Sequence, residues 1–297
     1  MTTGWIRRPE GGGRGALQLL SAFALSGGRA PARFVILFVA LYFMLRRGPE
    51  RSASRAFLGR LFGRSATVLD GYRHILCFSR VTLDRIFLLH EGTARFEIET
   101  TGLDDAHAMM ALNRGVLLFG AHFGSYEVMR VLSLRRPDLR FRAVIDLDQA
   151  PAMSQLLNSL NPELAATVIN ARQAGPAVAL AMKDALDQRA AVTLLADRVR
   201  PGGRVIEADF LGARAPFPAA PWEIAAALGA PVVLCFGVYR GGNRYHLYFD
   251  IVAERIVWER DGGPPLAAWV QIYADRLAAR ARDAPYNWFN FYDFWAG

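Results

Sequence analysis

Apolar residues are distributed in two regimes along this chain. The first begins with two apolar segments, Ala16 to Leu25 and Phe34 to Leu45, separated by a turn at Ser26-Gly27-Gly28-Arg29-Ala30-Pro31. Ser52 to Phe62 and Thr67 to His90 follow with helical spacing, Leu69, Tyr72, Leu76, Leu83, Ile86 and Phe87 marking one face of the longer stretch. From about Arg95 the pattern changes. Arg95-Phe96-Glu97-Ile98-Glu99 alternates as a half-exposed strand does. Short unbroken apolar runs then appear at 115–120, 191–195 and 231–240, the mark of strands buried on both faces. Further strands are expected at 139–145, at 168–172 and in a hairpin returning over 245–251 across Gly241-Gly242-Asn243. Helical stretches lie between them, at Asp104 to Asn113, from the His122 region through Met129, Val131 and Leu132 to Leu134, Gly175 to Arg189, Ala220 to Leu228 and Leu266 to Arg282. Strands alternating with helices predict an α/β fold, a largely parallel central sheet flanked by helices.

The N-terminal regime reads differently from the rest. Residues 1–13 form a leader with no cleavage signal. The Phe34 to Leu45 segment is shorter than the roughly 20 residues a bilayer span needs. Arg33 before it and Arg46-Arg47 after it are placed to snorkel toward headgroups. A membrane-contacting helical segment is therefore expected over residues 1–48, ahead of a catalytic domain over 49–297; a buried core helix is the alternative.

Charge supports the membrane reading. The formal net charge is +8, and residues 1–90 hold 14 Arg against 4 acidic residues, so the remainder sums to −2. The basic residues flank apolar stretches, where a nucleic-acid surface would interleave them with polar and aromatic ones. No nucleic-acid partner is expected. Cys77 and Cys235 sit in apolar runs at no metal-like spacing, as core positions in a reducing compartment do. No metal-ligand cluster or dinucleotide fingerprint occurs, so no metal or bound cofactor is expected.

The candidate chemistry lies at the end of the first buried run. Gly115-Val-Leu-Leu-Phe-Gly120 passes through Ala121 into His122, and Glu127 follows five residues on. Open α/β sheets bind ligands at the C-terminal ends of their strands. His122 is then a general base at a helix N-terminus, with Glu127 in the second turn as its orienting carboxylate. Gly120, Ala121 and Gly124 leave room for backbone or ligand to approach. Spacing alone also allows a capping histidine and an exposed glutamate. The absence of a nucleophile elbow argues against a serine hydrolase.

The run Arg114-Gly-Val-Leu-Leu-Phe-Gly-Ala-His122-Phe-Gly-Ser-Tyr-Glu127 resembles the lysophospholipid acyltransferase-like superfamily, and within it the lipid A late acyltransferase family, whose members carry a His-Phe-Gly-Asn-Trp-Glu type block after a similar strand. Ala191 to Arg198 resembles that family's apolar strand ending in Asp-Gln or Asp-Arg. The stretch around Phe210-Leu-Gly212 and Pro216-Phe-Pro218 resembles its Val-x-Phe-Phe-Gly-x-Pro-Ala block. The resemblance implies acyl transfer from an acyl-carrier protein or CoA thioester to a lipid or glycolipid hydroxyl, with His122 and Glu127 catalytic and no cofactor beyond the acyl co-substrate. It implies a place at the cytoplasmic face of a bacterial inner membrane, peripheral or monotopic.

The same resemblance extends to the substrate-binding residues. Gly124 belongs to the His block. Arg142 would grip a phosphate or polarise the acyl carbonyl, or be an edge-strand charge. Asp197 and Arg198 would order the site, or form a structural ion pair. The family's closing Trp plus His-Arg-Arg element is absent. The tail Pro285-Tyr-Asn-Trp288-Phe-Asn-Phe-Tyr-Asp-Phe-Trp295 looks more like that of acyltransferases from aryl polyene or related pigment-lipid pathways. Hydrolysis of a thioester or lipid ester, and non-catalytic lipid binding, are the competing functions.

Overall fold

The computed structural model describes residues 14–111, 115–133, 140–147, 151–173, 175–259 and 262–296. The expected leader, Arg114 and the turn at Pro137 lie outside the described residues. A seven-stranded sheet runs in the order β1 (Glu97–Thr101), β9 (Arg244–Ala253), β8 (Val232–Gly241), β2 (Val116–Gly120), β5 (Ala191–Leu195), β3 (Phe141–Ile145), β4 (Val168–Asn170). Its pairings are parallel except for the β8–β9 hairpin. The largely parallel sheet expected from the sequence is present. β6 (Val205–Phe210) and β7 (Ala213–Pro218) form a separate antiparallel hairpin.

Every residue of β2 is buried, which explains its unbroken apolar run: helices cover both faces of the sheet. Successive side chains point to opposite faces. Leu117 and Phe119 enter one core with Val192, Leu194, Val232 and Leu234. That core is closed by α9 (Gly175–Asp187), α10 (Ala220–Leu228) and α11 (Leu266–Asp283), and reaches Phe57 of α3 (Gly48–Phe62). Val116 and Leu118 enter the other, under α4 (Val68–Glu91), α6 (Tyr126–Ser133) and α7 (Pro151–Leu160). The start of α4 is fixed by a capping box, in which Thr67 and Asp70 satisfy each other's backbone donors.

The two N-terminal apolar segments are helices, α1 (Arg14–Gly27) and α2 (Arg29–Arg46), joined at Gly28. No described helix is long and apolar enough to cross a membrane. Ala32, Ile36, Ala40 and Met44, at four-residue spacing, form the buried stripe of α2, which packs on α4. The opposite stripe carries Phe34, Phe38, Leu41, Tyr42 and Leu45, all exposed. Arg33 does not point outward as expected. Arg29 forms a two-pronged ion pair with buried Asp84 of α4, Tyr245 donates to the same carboxylate, and Arg33 donates to the Tyr239 hydroxyl and to Gly242 O. A buried carboxylate needs such partners, and they draw both arginines inward.

Candidate active site

β2 and β5 are neighbours in parallel register, with Gly120 opposite Leu195. His122 and Asp197 each follow two residues later, so the two chains leave the sheet side by side at its C-terminal edge. The Asp197 carboxylate takes two bonds from His122: Oδ1 lies 2.8 Å from Nδ1, and Oδ2 accepts the backbone N–H at 3.0 Å. Asp197 is 1% exposed, whereas the His122 side chain is 31% exposed. A carboxylate at Nδ1 fixes the proton there and leaves the Nε2 lone pair available.

The charges around the pair favour that tautomer. Burial raises the Asp197 pKa, but His122 and Arg198 outweigh it and bring the carboxyl down to about 2. Burial and the Arg198 and Arg85 guanidinium groups lower the His122 pKa, against the upward pull of Asp197. The imidazole is therefore neutral near pH 7 and able to accept a proton at Nε2.

Glu127 does not orient the ring. α6 begins at Tyr126, later than the sequence pattern suggests, because Ala121 to Ser125 forms an irregular turn with Gly124 in the left-handed region, and Ser125 Oγ accepts from Val128 N–H. That moves Glu127 into the first turn, where its carboxylate pairs with Arg85 of α4 and not with the ring, whose Nδ1 meets Asp197. Its carboxylate lies 2.9 Å from Arg85 Nε and 3.5 Å from Arg130 Nη1. Arg130 is fully buried and also donates to Leu164 O. Glu127 thus joins α6 to α4 through Arg85, while Arg130, one turn on in α6 itself, ties the same helix to Leu164 of α8 (Pro162–Ala165).

Gly124 serves backbone approach. Its φ is +56°, and a Cβ there would sit 1.9 Å from Gly237 O of β8. Neighbouring Ser125 N–H donates to Gly237 O, and Gly124 N–H donates to Asn287 O of the C-terminal tail. Arg142 stands apart. The register aligns it with Val192 and hence with Leu117, five strand residues or about 16 Å before His122. A site at the C-terminal edge of the sheet is beyond its reach. Arg198 is at the site. It donates to Phe289 O at 3.0 Å and lies over the Tyr292 ring. Asp197 bonds to His122 and Trp288, and Arg198 acts on both members of the pair through its field.

The C-terminal tail is the part sequence reasoning missed. It crosses the His122 loop as a strap. Phe289 N–H donates to His122 O, Phe123 bridges Trp288, and the Trp288 indole N–H donates to Asp197 Oδ2 at 3.1 Å. The available signal was the density of Trp, Phe, Tyr and Asn over 286–295, a composition suited to a buried, hydrogen-bonded segment. Among the described residues no three His, Cys, Asp or Glu side chains are grouped to hold a metal ion.

A family model described as bacterial lipid A biosynthesis acyltransferase matches residues 80–295, from within α4 to the end of the strap. No curated protein matches the chain.

Proposed function

The chain belongs to the bacterial lipid A biosynthesis acyltransferase family, and is therefore an acyltransferase; from that premise we propose that it moves a fatty acyl group from an acyl-carrier protein or CoA thioester to a lipid or glycolipid hydroxyl, with His122 as general base. The observation that carries this reading is the His122 Nδ1–Asp197 Oδ1 contact of 2.8 Å on a side chain that stays 31% exposed while its carboxylate partner is buried. His122 Nε2 removes the proton from the acceptor hydroxyl as its oxygen attacks the thioester carbonyl. The carbon–sulfur bond then breaks, and the leaving thiolate takes the proton back from the imidazolium. Asp197 stabilises that imidazolium and holds the tautomer. Arg198 contributes a positive field for the developing oxyanion.

Membrane attachment fits the same reading. The exposed face of α2, with Leu19 and Phe23 of α1, is apolar, and Arg46, Arg47 and Arg51 lie at the end of the hairpin. We place this face in the headgroup region of one leaflet at the cytoplasmic side of the inner membrane, where thioester donors and lipid acceptors meet. The Asp84 ion pair holds the hairpin to the catalytic core.

The experiment is acyl transfer by the purified full-length chain. Acyl-CoA and acyl-acyl-carrier-protein donors are incubated with bacterial membrane lipid extract, and products are read by mass spectrometry. An acylated lipid and free carrier thiol are expected. Free fatty acid with no acylated lipid would replace transfer by hydrolysis, and no donor turnover would remove both.

A further inference from the structure

Resting on the reading of His122 as base, we propose that Trp288 is a positioning residue of the reaction: its indole N–H pins the Asp197 carboxylate against His122. The indole is 1% exposed in a cage of Phe57, Phe210 and Phe294 at centroid distances of 4.9, 5.2 and 4.9 Å. A ring wanted only for volume has no use for a polar atom. Trp222 shows this: it is 0% exposed, and its Nε1 has no partner. Trp288 Nε1 instead meets Asp197 Oδ2, the oxygen that also takes the His122 backbone N–H. With Nδ1 on Oδ1, the carboxylate is held at three points and cannot rotate away from the ring.

The strap that carries Trp288 is itself fixed from behind. His74 of α4 is fully buried and places Nε2 2.8 Å from Trp288 O and Nδ1 2.8 Å from Ser54 Oγ. A carbonyl only accepts, so Nε2 bears the proton and Ser54 donates to Nδ1. A continuous hydrogen-bonded line thus runs Ser54, His74, Trp288, Asp197, His122. Phe289 N–H on His122 O and Asn287 O on Gly124 N–H close the strap over the same loop. The site's alignment is therefore set by a segment more than 160 residues later in sequence than the base it serves.

The test removes the N–H and keeps the chain whole. In Trp288→Phe, and in a protein with benzothienylalanine at this position, sulfur replacing the N–H in a ring of the same shape, proton NMR reads the His122 Nδ1–H and steady-state kinetics read acyl-CoA turnover. The benzothienyl form keeps the test open should phenylalanine unfold the strap. We expect the Nδ1–H resonance to broaden or vanish, and kcat to fall on the order of tenfold with KM for acyl-CoA unchanged, as befits one hydrogen bond to a charged group. A folded variant that keeps a wild-type Nδ1–H signal overturns the proposal whatever its turnover. His122→Ala separates the two readings: if it turns over normally, the base assignment fails and with it any part of Trp288 in the reaction, while the Nδ1–H signal still decides whether the indole holds Asp197 against His122.

Discussion

His122 and Asp197 are 75 residues apart in sequence, yet each stands two residues beyond a pair of strand residues that face each other, Gly120 and Leu195. The sheet register therefore builds the pair. No loop search is needed to bring a carboxylate to the imidazole, because adjacent parallel strands deliver both to one edge. Such a site is as rigid as the core beneath it, where Phe119, Val192 and Leu194 pack.

The first prediction concerns turnover. Removing the acceptor's proton in the transition state contributes roughly 10²–10⁴-fold, so His122→Ala should lower kcat by about that factor with little change in donor binding. Asp197→Asn keeps shape but removes the charge that stabilises the imidazolium, and should lower kcat too. The double variant should be little worse than His122→Ala, since a base and its orienter act as one unit. Independent, multiplicative losses would mean that Asp197 has a separate task.

The pH profile follows from the His122 environment. Its pKa lies below the ordinary histidine value, so the neutral, active form persists on the acid side of neutrality. The acid limb of kcat/KM should then have its midpoint below about 6.5. Asp197 is the group that pulls the His122 pKa up, so Asp197→Asn should move this limb to lower pH still. A limb that stays in place in the variant would assign the titration to another group.

Glu127 should reveal itself in stability. Glu127→Gln removes the negative charge that Arg85 and buried Arg130 both face. Breaking a buried pair from one side costs about 3–5 kcal/mol. A clear drop in Tm and in the denaturation midpoint is expected, with kcat per folded molecule close to wild type. A stable variant with turnover as low as that of His122→Ala would return Glu127 to the catalytic machinery.

The legible and illegible parts divide along one line. Periodicity exposes what repeats locally, and so β2, β5, the β8–β9 hairpin and α4 are readable in the sequence. It also locates His122 and Asp197 as strand-end residues. Partner choice depends on where helices start and how strands align, and neither is periodic. The delayed start of α6 turned Glu127 toward α4, and the β3 register removed Arg142 from the site. Arg33 reads as a headgroup contact until Asp84, 51 residues on, is seen beside it. The strap has no period at all, and its role depends on contacts to residues as distant as His74.

His74 sets an acid limit on the fold. Burial lowers its pKa from 6.5 to about 4, against the smaller pull of Trp288 O. The unfolded chain therefore binds this proton more readily than the folded one between those values. Stability from this group is complete above pH 6.5 and is lost as pH falls toward 4, up to about 3 kcal/mol. Denaturant melts of wild type and His74→Gln over this window should show a steeper acid loss in wild type. Parallel curves would place the acid sensitivity elsewhere.

The last prediction is membrane attachment through the outer face of the α1–α2 hairpin. Deleting the hairpin is a poor test, because Ile36 and Met44 cover α4 and Asp84 would lose Arg29. Its loss would expose core and leave a buried carboxylate unpaired. The exposed stripe can be changed without touching that interface. Phe34, Phe38 and Leu45 are 62%, 59% and 69% exposed, so serine at all three removes apolar surface that packs on little of the protein itself. Burying a large apolar side chain in the acyl boundary contributes roughly 1.5–3 kcal/mol, and three together far exceed the tenfold step of about 1.4 kcal/mol. Co-sedimentation with anionic phospholipid vesicles should then fall by at least tenfold, while the melting curve and the detergent-solubilised turnover stay near wild type. The basic residues at the hairpin's end predict that binding of the unchanged chain weakens as salt rises. Unaltered sedimentation of the triple variant would place the membrane contact on another surface.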